Sequence, residues 1–104
     1  MALVINAPQK TKIDVDLEGP DGNAFQLVGI AIGVAKQIGW DRDDIAAFRT
    51  KCYSGDYGNV LALVDKNFGD FINLEMSERY ALGIQSKAFR AHFLNELVEV
   101  INEQ

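Results

Sequence analysis

The chain has 104 residues, 48% hydrophobic and 24% charged, which fits one ordinary globular domain and excludes a disordered tail or a repeat array. Lys and Arg number 10 against 15 Asp and Glu, a formal charge of -5, so polyanions are poor partners: affinity for a phosphate backbone rests largely on Lys and Arg. One Cys excludes an intramolecular disulfide framework and a Cys-built zinc site, and one His excludes a multi-histidine metal centre within one chain.

Met1–Ala7 has no basic residue ahead of its apolar run and does not read as a secretory signal. The longest apolar-rich run, Leu27–Ala35, holds two glycines and falls well short of the roughly 20 residues a membrane span needs. A lone Cys52 suits a reducing compartment, so the cytoplasm is expected.

In chain order, Leu3–Ile5 can form a short strand that Pro8 closes off. Lys12–Glu18 alternates Ile13, Val15 and Leu17 with Asp14, Asp16 and Glu18, the period-2 pattern of a half-buried strand with a carboxylate row on its wet face. Gly19–Asn23 is a turn that delivers the chain to a helix over 24–38, with Asn23 as N-cap, Gln26 at N3 and Gly39 at its C-terminal stop. Apolar residues from Phe25 to Ile38 fill over half of its circumference, which predicts a central helix buried on several sides, and the remaining strip holds Gln26, Gly29, Gly33, Lys36 and Gln37. Asp41 caps a second helix whose Ile45, Phe48 and Cys52 form one buried stripe ending near Tyr53. Ser54-Gly55-Asp56 breaks it. A third helix covers 57–68, closed by Gly69, and Asp70–Met76 is a second strand. Residues 77–85 give no clear pattern beyond Ser77 as cap of a single turn and Gly83 as its interruption. Ser86 caps a last helix running from Lys87 to about Asn102.

The acidic segment Asp14–Asn23 resembles the opening of a calcium loop, but its twelfth position is Phe25, where a bidentate Glu belongs. The same turn could cradle phosphate at a helix start, yet it lacks both glycine-rich fingerprints, and Glu18 and Asp21 would repel an anion. No cofactor signature is present. Cys52 sits on an apolar stripe, and His92 lies on a polar face near Glu96 and Glu99, so a thiol-imidazole pair is not indicated. Leu82–Ser86 with Phe89 resembles the turn of a helix-turn-helix, but Arg79 stands where a small buried residue is needed. Two surfaces point to association. The last helix carries an apolar arc wider than one core contact needs, with Phe89, Phe93, Leu97 and Ile101 as interface residues or the core beneath one. The Gly29/Gly33 strip invites close approach of another backbone, because glycine on an exposed helix face costs about 1 kcal/mol relative to Ala.

The stretches Asp16–Phe25, Ser54–Tyr57 and Phe68–Phe71 resemble a group of small bacterial and phage-carried proteins, over roughly residues 14–75. In that group the first helix is more basic after its glycine than Ile30–Val34 is here. The resemblance implies a mobile-element or accessory setting and assigns no activity.

The sequence therefore predicts one domain over 1–104, of α+β class, with a two- or three-stranded sheet against about four helices in the order β-α-α-α-β-α. The expected function is that of a small acidic protein-interaction or regulatory protein without enzymatic activity. Its expected partners are a second copy of itself and another protein, with neither nucleic acid nor membrane. The alternative is a metal- or small-ligand-binding domain, with or without catalysis, built on Asp14, Asp16, Glu18 and Asp21.

Overall fold

The computed structural model describes residues 12–102, with side chains described from 12 to 98. The Leu3–Ile5 strand lies outside the described residues, and so does the side chain of Ile101. The order is β1 (Ile13–Asp16), a 3-10 turn (Pro20–Gly22), α1 (Ala24–Gln37), α2 (Arg42–Tyr53), α3 (Tyr57–Phe68), β2 (Ile72–Glu75), α4 (Glu78–Gly83), α5 (Lys87–His92) and α6 (Leu94–Asn102). This is a mixed α+β fold, richer in helices than expected: β2 is followed by three helices where one was predicted.

β1 and β2 pair in parallel, with Ile13 opposite Ile72 and Val15 opposite Leu74. Parallel neighbours need a long crossover, and α1, α2 and α3 supply it. The alternation in β1 buries Val15 and, just beyond the strand, Leu17, but Ile13 is 43% exposed. Period 2 sets the face a residue points to; it does not bring a helix far enough along the sheet to cover it.

Each long helix starts on a side-chain cap. Asn23, Asp41 and Asp56 accept the backbone N–H of Gln26, Asp44 and Asn59 at 2.8–2.9 Å. Helix α1 ends in a Schellman pattern: Trp40 N–H reaches the Ala35 carbonyl, Gly39 N–H reaches Lys36, and Gly39 takes φ +96. That turn drops Trp40 onto Phe48 and Phe68, whose ring centroids lie 6.1 and 5.0 Å away. Val15, Leu27, Ala31, Leu61, Val64, Phe68 and Ile72 are completely or almost completely buried and join both strands to α1 and α3 in one apolar core.

The predicted last helix is two helices. The chain leaves helical geometry at Phe93 (φ -101, ψ 22), so that α5 packs on α3 and α6 packs on α4. Phe89, Phe93 and Leu97 keep their four-residue spacing through the break, which is why the pattern reads as continuous. No helix among the described residues is long and apolar enough to cross a membrane.

Candidate functional site

The acidic segment is spent on the fold. Asp14 accepts a hydrogen bond from Asn73 Nδ2 directly across the ladder, at 2.9 Å. Asp16 accepts the N–H of Glu18 at 3.0 Å, and the Glu18 carboxylate accepts the N–H of Ser77 at 2.8 Å. Asp21 stands exposed in the 3-10 turn. Each of the first three thus has its own partner, and no group of three or more His, Cys, Asp or Glu among the described residues could hold a metal ion. The turn is also closed sterically: a Cβ on Gly22 would lie 2.0 Å from the Leu17 carbonyl oxygen. Tyr57 donates its hydroxyl to the Gly22 carbonyl, and burial pushes that phenol well above its ordinary pKa.

The Ser54–Tyr57 motif is a second structural joint. Asp56 caps α3 and also accepts from Ser86 Oγ at 2.8 Å, while Ser86 Oγ accepts the Phe89 N–H at 3.2 Å and so caps α5. Hydrogen bonds from the Asn59 backbone and then from Ser86 hold the Asp56 carboxyl below its usual range. Gly58 makes this approach possible, since a Cβ there would lie 2.3 Å from the Ser86 side chain. Asp56, read from sequence only as a helix breaker, therefore caps α3 and holds Ser86, the cap of α5.

Cys52 is fully buried, and burial pushes its thiol up to about 11, so it carries almost no nucleophilic thiolate at neutral pH. His92 Nε2 lies 2.8 Å from Asp65 Oδ2 and ties α5 to α3. Among the described residues the partner of His92 is thus across the fold, on α3.

Two surfaces remain. The first is the open face of α1. Among the described residues no atom lies within 4 Å of where a Cβ on Gly29 or Gly33 would sit, so neither glycine is needed for packing against them. Phe25, predicted in the buried arc, is instead 79% exposed and has its ring beside that of Tyr53, centroids 5.6 Å apart. At 100° per residue Phe25 lies only about 40° from Gly29, which places it on the glycine strip. No charged side chain occurs between Asn23 and Ala35. From Asn23 to Ala35 the face is therefore an uncharged strip, with an aromatic knob at one end and bare backbone two turns on, and the exposed Lys36 stands at its C-terminal end.

The second is a groove of about 480 Å³ between β2, the end of α3 and the last three helices. Phe89 and Ile72 form its floor, both buried, and Met76, Phe93 and Leu97 line it half-exposed. Phe89 is thus core beneath the surface, while Phe93 and Leu97 reach it. On the far side of α6, Leu94 (55% exposed), Val98 and Leu82 continue the apolar surface around Arg90. Comparison with family models, curated proteins and solved structures returns no match.

Proposed function

We propose that the chain is a small interaction protein without enzymatic activity, working in the cytoplasm, which pairs with a second copy through the open face of α1 and uses its last helices to engage another protein. The exposed Phe25 beside the bare Gly29/Gly33 backbone carries this reading. The strip is complementary to itself. Residues 25 and 33 lie four positions either side of Gly29. A two-fold axis beside Gly29, with the two helices antiparallel, would set Phe25 of each copy over Gly33 of the other. Glycine lets the backbones approach closely enough for a ring to seat on them. A C₂ contact of this kind is the commonest way a chain pairs with itself.

Burial of Phe25 in such a contact would remove the largest exposed apolar side chain from water, worth about 1.5–3 kcal/mol per copy. The test is sedimentation equilibrium from micromolar to near-millimolar chain. A concentration-dependent dimer that Phe25→Asp converts to monomer supports the reading, and a wild-type chain that stays monomeric throughout contradicts it.

A further inference from the structure

The groove beside α6 differs in character from the α1 face, and no residue of α1 lines it. Its half-exposed apolar wall is formed by Met76, just after β2, and by Phe93 and Leu97, at the start of α6. Its volume of about 480 Å³ lies within the usual range for ligand sites, about 300–1,000 Å³. The rim is strongly asymmetric in charge. Asp65, Glu75 and Glu96 border it, against Lys12 as the one Lys or Arg among the described lining residues. Asp65 is shared with His92, whereas Glu75 and Glu96 are exposed.

From this we infer that the groove docks a basic amphipathic segment of another protein: a helix whose apolar side chains seat on Phe93, Leu97 and Met76 and whose Lys or Arg residues face Glu75 and Glu96. Helix-in-groove recognition takes its affinity from apolar anchors at i, i+3/i+4 and i+7, and flanking charge selects the partner. The occupant must be basic because the rim is acidic on a chain that is itself acidic, and an acidic helix would meet like charge at the wall and at long range. A second copy of this chain, at -5, is disfavoured as occupant for the same reason. The inference rests on the reading of the chain as an interaction protein, but not on pairing through α1.

The experiment uses two fluorescein-labelled model helices, one of leucine and lysine and one of leucine and glutamate with the same apolar pattern. Fluorescence anisotropy follows their binding to the full chain at low micromolar concentration. The lysine helix should bind and the glutamate helix should not. Glu75→Gln with Glu96→Gln should weaken the lysine helix about threefold to tenfold, as two lost surface charge pairs would. Leu97→Ser should weaken it further. Asp43→Asn with Asp44→Asn removes the same charge on α2, away from the groove, and should leave binding within about twofold, which separates a site from bulk attraction.

The inference is overturned if neither helix binds, if both bind equally, or if the α2 variant weakens binding as much as the groove variant. It is also overturned if the peptide binds only as dilution separates copies of the chain, which would show a second copy seated in the groove. Loss of peptide binding with the α1 dimer intact defeats this inference alone. A wild-type chain that stays monomeric while the peptide binds, or a dimer that survives Phe25→Asp, defeats the pairing alone.

Discussion

At the scale of single residues, two kinds of glycine separate structure from surface. Gly22 and Gly58 are sterically required, because a methyl at either would meet neighbouring atoms at 2.0 and 2.3 Å. At Gly22 the obstacle is backbone, which cannot swing aside. Gly58→Ala is expected to cost about 1–3 kcal/mol, the usual penalty for overpacking, and Gly22→Ala more, both read as a lowered midpoint in urea denaturation. Gly29 and Gly33 face open space and belong to the other class. The sequence shows nine glycines without distinguishing these cases. Only the glycine strip on α1 was legible, from its helical phase, whereas the need at Gly22 and Gly58 arises from segments that approach from 5 and 28 residues away. Cys52 gives a second check at this scale. Its buried, raised thiol should react with a disulfide reagent at neutral pH only as fast as the chain unfolds; rapid labelling of the native protein would contradict its placement.

At the scale of elements, caps were the most legible feature and joints the least. Asn23, Asp41, Ser77 and Ser86 are visible as caps because a short polar side chain precedes an apolar-periodic run, and each accepts the expected N–H. The break at Phe93 was hidden because it preserves the apolar spacing on both sides. Parallel pairing of β1 and β2 was hidden too, since a strand pattern fixes a face and leaves direction open. Two predictions belong here. Gly39→Ala should cost about 1–2 kcal/mol although nothing crowds the new methyl, because the penalty lies in its left-handed backbone at φ +96. Asp56 should give the joint between α3 and α5 an acid limb. Its folded carboxyl is held below the ordinary value, so its contribution is present above about pH 3.9 and is lost as pH falls through the folded value. Asp56→Asn should lower the denaturation midpoint at neutral pH and flatten the acid limb relative to wild type; an unchanged acid limb would place the titrating group elsewhere.

At the scale of the whole molecule, the conspicuous sequence motifs and the free surfaces fall in different places. The Asp14–Asn23, Ser54–Tyr57 and Phe68–Phe71 stretches are consumed in a strand-to-helix turn, a double cap and a tight turn whose Phe71 N–H reaches the Phe68 carbonyl. What stays open among the described residues is a helix face uncharged from Asn23 to Ala35 and an acid-rimmed apolar groove, neither of which has a motif. Electrostatics should act on them with opposite sign. Pairing two copies at -5 each through a face uncharged from Asn23 to Ala35 is opposed by net repulsion, so it should tighten as salt rises from about 0.05 to 0.5 M. Docking of a basic helix should weaken over the same range. The central claim, that α1 is bare because a second copy covers it, is tested most directly on the double variant Gly29→Ala with Gly33→Ala. Sedimentation equilibrium and urea denaturation at a concentration where the chain is monomeric are measured side by side. The account predicts a more stable monomer, by up to about 1 kcal/mol for each glycine replaced in open helix, together with a dimer weakened at least tenfold. A monomer gain with association unchanged would show that the copies do not meet at this face.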